Sequence, residues 1–177
     1  VAHRLGLVEG QSFASGRTPA AKADLSRVQL GYDEAPELMG AVQRVAEHTM
    51  ASYQRLATLW NQVRYLDRQG VDGDLVECGV WRGGAVGMMA LAHLQAEGAP
   101  TRRLRLFDSF VGLPRPTPRD GPDVAEMAPG PASGALEPVG ACVSDITESR
   151  QLLEQTLGYP SELIDYHVGW FEETVTP

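Results

Sequence analysis

Two acids and a glycine-rich turn are the residues best placed by type and spacing to do chemistry. Glu77 lies at the end of the apolar run Asp74-Leu75-Val76-Glu77-Cys78-Gly79, and Asp108 closes a second, Leu104-Arg105-Leu106-Phe107-Asp108. Between them, Gly79, Gly83 and Gly84 lead into a helical stretch through Ala85 to Leu94. Gly79 permits a tight turn, and Gly83-Gly84 let backbone N–H groups at the helix start come close to a ligand. An acid at the end of the second strand commonly accepts both hydroxyls of a ribose, so the pattern reads as a cradle for a nucleoside cofactor. Trp81 occupies the middle glycine position of a G-x-G-x-x-G turn. A pyrophosphate packs against that glycine, so an indole there argues against NAD or FAD. A cofactor with an amino-acid tail and no phosphates, S-adenosylmethionine, fits better. Plainer readings stay open: Glu77 as a strand-end carboxylate met by backbone N–H groups, and Gly83-Gly84 as a packing contact between helix and strand.

Other chemistries have less support. A G-K-[ST] phosphate loop and a G-x-S-x-G nucleophile elbow are both missing. The single lysine, Lys22, has no tyrosine four residues before it, which removes the usual pair for carbonyl reduction. His3, His48, His93 and His167 read as structural or solvent-facing. Cys78 reads as a small buried hydrophobe. Trp170 and Phe171 follow a third apolar run, where a ring stacks on a base or simply joins the core.

Stepping outward, the elements that hold these residues follow from periodicity. Residues 1–36 are rich in Gly, Ser, Pro and Ala without a sustained period and read as a flexible or loosely docked leader. From Glu37 to Gln69, Leu38, Val42, Val45, Thr49, Tyr53, Leu56, Trp60 and Val63 recur at steps of three and four, predicting one amphipathic helix or a close-packed pair capped at Gly70. The run at 74–79 lacks clean alternation, as expected of a strand buried on both faces of a parallel sheet. Residues 111–140 hold seven of the 12 prolines, which predicts a long surface loop, either a lid or a disordered insertion. Asp145 is placed to cap a third helix with Glu148 completing a capping box, and Leu163 to Gly169 predicts a third strand. The domain proper is therefore residues 37–177.

Composition bounds the rest. With 177 residues, 43% of them hydrophobic, the chain has material for one cored domain. Fifteen Lys+Arg against 23 Asp+Glu give a net charge of −8, which repels a phosphate backbone and disfavours nucleic acid as a partner. No apolar run reaches the ~20 residues that span a bilayer. The start shows no signal-peptide pattern, and two cysteines are too few for a disulfide framework or zinc cluster. A cytoplasmic, soluble α/β-sized domain is the expectation.

The string Gly73-Asp74-Leu75-Val76-Glu77-Cys78-Gly79-Val80-Trp81-Arg82-Gly83-Gly84 closely resembles the motif of the macrocin O-methyltransferase (TylF-type) family. Asp108 to Pro114, Gly169 to Thr174, and Thr49 to Ser52 with Arg55-Leu56 are similar to three further blocks of that family. The resemblance implies an α/β, class I methyltransferase (Rossmann-like) fold of three αβα layers, incomplete here with about three of its strands. It implies methyl transfer from S-adenosylmethionine to a hydroxyl of a sugar or natural-product acceptor, as in macrolide tailoring, assisted by Mg²⁺. By that resemblance Glu77, Gly79 and Gly83 hold the methionine end, with Val80 and Trp81 among the contacts. Asp108 and Ser109 take the ribose, Thr49 and Ser52 touch the cofactor tail, and Trp170 walls the adenosine pocket. The family's metal-binding acids lie downstream of the G-W-F block, so catalytic and metal-binding residues are expected beyond Pro177, with no metal ligands in these 177 residues. The chain is then the amino-terminal part of such an enzyme, with homo-oligomerisation open. A dinucleotide-binding oxidoreductase and a catalytically incomplete remnant or interaction domain are the alternatives.

Overall fold

In the computed structural model, which describes residues 36–121, 128 and 130–175, three parallel strands lie in the order β1-β2-β3. They are β1 Leu75–Cys78, β2 Leu104–Asp108 and β3 Ile164–Val168. Leu75 pairs with Leu104, and Leu104 with Ile164, so the acids near the carboxyl ends of β1 and β2 stand at one edge of the sheet. The leader expectation for residues 1–36 falls outside the described residues, except Pro36, which begins a helix.

The long helical period resolves into the close-packed pair. Helix α1 is Pro36–Val45 and α2 is Tyr53–Arg68, separated by a 3₁₀ turn at Ala46–His48. All eight residues of the predicted stripe are buried, Thr49 included. Ser52 caps α2 by accepting from the Arg55 N–H at 3.5 Å. At the other end Gly70, with φ +64, follows the last helical turn, and its N–H donates to the Asp67 carbonyl. Helix α3, Gly84–Glu97, is apolar nearly all round because the helix pair covers one side and the sheet the other.

Among the described residues these helices cover one face of the sheet, so β1 is not buried on both faces there as its apolar run predicts. Successive strand residues point to opposite faces. Leu75 is buried beneath the helices, but Val76 is 53% exposed and Cys78 is exposed rather than a core hydrophobe. The open face carries Arg103 and Arg105 interleaved with Asp74 and Asp165, at N···O distances of 2.6–3.5 Å. Further along it, Phe107 and His167 stack with centroids 4.2 Å apart.

After β2 the described parts of the proline-rich segment form no helix or strand and are mostly exposed or half-buried. Its two limbs pair through backbone hydrogen bonds, Leu113 to Ala141, Val139 to Leu113, Arg115 to Ala135 and Gly134 to Pro116, and Ala128 is 2% exposed. Residues 122–127 and 129 of this predicted loop lie outside the described residues. The following helix, α4 Ile146–Arg150, widens into a π-helical turn at Gln151–Thr156, where Leu152 and Leu153 enter the core. Asp145 caps α4 through the Thr147 N–H at 2.8 Å, as expected. The capping box does not form, because the Glu148 carboxylate turns away to the Ser144 hydroxyl at 2.9 Å and the Arg82 guanidinium at 3.0 Å. A short helix α5, Phe171–Thr174, follows β3.

At the other end of the sheet a buried polar network ties the elements together. Asp67 meets Arg102 Nε at 2.7 Å and His93 Nδ1 at 3.0 Å. His93 Nε2 accepts from the Thr101 and Arg102 N–H groups, which assigns the ring proton to Nδ1. His93 is therefore structural, as expected. Although Asp67, His93 and Thr101 line up like a catalytic triad, an Nε2 that already accepts two amide protons cannot serve as a base.

Candidate functional site

The carboxyl ends of β1 and β2 bring Glu77, the glycine turn and Asp108 together. Glu77 points to the covered face, where the Val86 N–H in the first turn of α3 hydrogen-bonds its carboxylate. Its Oε2 is sealed from solvent without a partner. Burial pushes the carboxyl up to about 8, with the nearby Asp108 charge adding to the rise. Gly79 adopts φ +86, donates to the Phe107 carbonyl at 2.9 Å, and has nothing within 4 Å of where a Cβ would stand. An unpaired buried oxygen, two residues from an open glycine, calls for a donor that the described residues do not supply.

Asp108 is differently engaged from the sequence expectation. Its Oδ2 accepts from the Val80 N–H at 2.6 Å and the Trp81 N–H at 2.8 Å, and its Oδ1 from the Phe110 N–H at 2.7 Å. A carboxylate has about four lone-pair sites, so about one remains for a further donor. Gly83 and Gly84 leave room for protein. A Cβ on Gly83 would stand 2.8 Å from Ser149 Oγ, and one on Gly84 2.5 Å from the His48 carbonyl oxygen. The closer approach to a ligand is at Gly79.

The other expected contacts are satisfied within the chain. Val80 and Trp81 are buried, and the Trp81 indole donates to the Val143 carbonyl at 3.2 Å under the Arg82 guanidinium. Ser109 Oγ donates to the Gly112 carbonyl at 3.1 Å. Thr49 Oγ1 accepts from the Ala51 N–H at 3.0 Å, and the Thr49 side chain lies against Gly84. Ser52 is spent on its helix cap, and Trp170 precedes α5 at the carboxyl end of β3. Sequence reasoning overlooked Phe110, Cys142 and Ser149. Ser149 packs against Gly83, the Phe110 N–H binds Asp108 and the Cys142 thiol lies near the Asp108 charge, and no residue-type signal marks them.

Among the described residues, no group of three or more His, Cys, Asp or Glu is placed to hold a metal ion, and no helix is long and apolar enough to cross a membrane. A largely apolar groove of about 390 Å³ runs beside α2, lined by Ala51, Arg55, Leu59 and Gln62 and reaching the turn at Ala85.

A three-strand parallel sheet with its crossover helix, and two acids around a glycine turn at the strand ends, define an incomplete Rossmann-like α/β fold. Residues 16–176 match the macrocin-O-methyltransferase (TylF) family, and the chain belongs to it. It is 33% identical over 143 residues to the 8-demethyl-8-(2,3-dimethoxy-alpha-L-rhamnosyl)-tetracenomycin-C 4′-O-methyltransferase of Streptomyces olivaceus, covering 81% of this chain and 52% of that protein. The mycinamicin III 3″-O-methyltransferase of Micromonospora griseorubida is 34% identical over 129 residues, covering 72% and 48%. Among solved structures, the O-methyltransferase NovP superposes with a TM-score of 0.53 at 32% identity, over 72% of this chain and 49% of its own. The chain thus spans about half the length of the curated relatives it matches.

Proposed function

We propose that the chain carries the cofactor-binding half of an S-adenosylmethionine-dependent O-methyltransferase acting on a hydroxyl of a glycosylated natural product. The observation that carries this reading is the buried, unpartnered Glu77 Oε2 two residues from the open Gly79, with Asp108 at the end of the next strand. The relatives, named as O-methyltransferases of a rhamnosyl-tetracenomycin C and of mycinamicin III, support the reaction class.

When bound, S-adenosylmethionine supplies an electrophilic methyl on a sulfonium for attack by an acceptor oxygen. The residues of this chain bind and orient it. Glu77 accepts from the α-ammonium of the methionine end, and that cation restores the carboxylate that burial opposes. Gly79 leaves the backbone bare for the approach, and the remaining Asp108 lone pair accepts one ribose hydroxyl. Holding both ends fixes the methyl group in a single direction, which is the entropic part of catalysis. Mg²⁺ assistance is part of the family resemblance, but the described residues do not fit a metal site, and no step is assigned to one.

Calorimetric titration of the 177-residue chain with S-adenosylhomocysteine and, separately, with NADH tests the proposal. Saturable binding of S-adenosylhomocysteine with none of NADH is expected. Tight NADH binding without S-adenosylhomocysteine binding would replace this reading with a dinucleotide oxidoreductase.

A further inference from the structure

Three non-glycine residues among those described have positive φ: Trp81 at +52, Phe110 at +56 and Cys142 at +55. Each such conformation costs about 1–2 kcal/mol for an L-residue and persists only where its surroundings over-determine it. The three belong to different segments: the turn after β1, the turn after β2, and residues 141–143 at the base of the proline-rich arm that segment 111–140 forms. Two of them nevertheless meet at one carboxylate, and the third is tied to it through its neighbours. Asp108 binds the N–H groups of Trp81 and Phe110. The residues flanking Cys142 close the circle: Val143 accepts from the Trp81 indole, and Ala141 accepts from the Leu113 N–H. The Ala141 carbonyl also comes so near Gly112 that a Cβ there would stand 2.3 Å from it. Arg82 adds a second tie, stacking on Trp81 while its other contact, Glu148, holds Ser144.

We propose that Asp108 is a positioning residue that anchors both strand-end turns and, through Trp81, the base of the proline-rich arm, while offering the cofactor a single hydrogen-bond site. The inference rests on the cofactor reading above for its ligand but not for the anchor itself. The turn does not wait for the cofactor to take shape: its amides are already committed to Asp108, and the ligand meets a finished surface. Arm and turn then move as one unit, because Trp81 cannot leave its left-handed conformation without releasing Val143.

Amide hydrogen exchange on the ¹⁵N-labelled 177-residue chain, with and without S-adenosylhomocysteine, tests this. In the parent protein the Val80, Trp81 and Phe110 amides are expected to be protected and to stay protected at saturation. Asp108→Asn, which sets an NH₂ group in place of one acceptor oxygen, is expected to speed exchange at these amides at least tenfold. Exchange in the middle of α3 should stay unchanged, and S-adenosylhomocysteine should bind at least tenfold more weakly. A merely global loss of stability would speed α3 as well, and that result counts against the anchor. So do unprotected amides in the parent, protection lost on ligand binding, and an Asp108→Asn protein that loses affinity with its turn amides unchanged. If Asp108→Asn fails to fold, the parent measurements decide alone. If the parent does not bind S-adenosylhomocysteine, the cofactor reading fails while the free-state exchange still decides the anchor.

Discussion

Burying a carboxyl group with one oxygen unpaired favours its neutral form, and Glu77 is the residue where this matters most. Its ordinary value of 4.5 holds in the unfolded chain, whereas the folded value is about 8. Between those limits the native state binds the extra proton, so this residue's contribution to stability falls as pH rises from 4.5 to about 8 and is flat above. The full loss is a few kcal/mol at most. Glu77→Gln keeps the shape and removes the titration. Its thermal midpoint is expected to match the parent's near pH 5 and to exceed it at pH 8.5 and above. Affinity for S-adenosylhomocysteine should drop roughly 10- to 100-fold with loss of a charge-assisted hydrogen bond. Melting curves of both proteins from pH 5 to 9 check this, and parallel profiles would sink it.

At the scale of elements, the glycine turn divides its labour along its length. Gly84 sits where α3 meets the carbonyl of His48, a backbone contact that cannot move aside, so Gly84→Ala must push the helix off the α1–α2 junction. Overpacking of this kind costs about 1–3 kcal/mol. Gly79→Ala meets no atom and bears only the strain of its φ of +86, about 1–2 kcal/mol. Binding is expected to separate the two. Gly79→Ala intrudes on the open approach beside Glu77 and should weaken S-adenosylhomocysteine binding at least tenfold, while folded Gly84→Ala retains most of its affinity. Urea unfolding and calorimetry on both variants supply the comparison, and equal losses of affinity would contradict this division. The far end of the same helix is held by His93 in the Asp67–Arg102 network, so α3 is pinned at both ends and its first turn is a fixed platform.

On the scale of this 177-residue chain, which spans about half the length of its relatives, the sheet is covered on one face and open on the other among the described residues. β1 pairs with β2 alone, leaving its outer edge free among the described strands. An exposed strand edge next to an uncovered apolar residue is a template for association. Val76 lies on that strand and that face. Light scattering on the 177-residue chain is expected to show concentration-dependent self-association. Val76→Lys, a charge on the open face of the edge strand, should shift the population toward monomer without changing the melting midpoint by more than a degree or two. A parent protein that stays monomeric at high concentration would disprove this.

Local pattern carried much of this protein. The 3–4 step from Leu38 to Val63 announced a helical stripe because an apolar face must recur with the helical turn, and the short runs ending near Glu77 and Asp108 announced parallel strands around a crossover helix. The E-C-G-V-W-R-G-G string marked the family, which residues 16–176 match. Tertiary structure alone decided which carboxylate is free. Glu77 and Asp108 look equivalent as strand-end acids, but burial left one Glu77 oxygen unpaired while three backbone N–H groups from two turns converged on Asp108. The exposure of Cys78, the pairing of the proline-rich limbs and the left-handed Trp81, Phe110 and Cys142 were equally invisible in the sequence. Each depends on what distant segments place opposite a residue, and a hydrogen bond across 27 positions leaves no periodic trace in the chain.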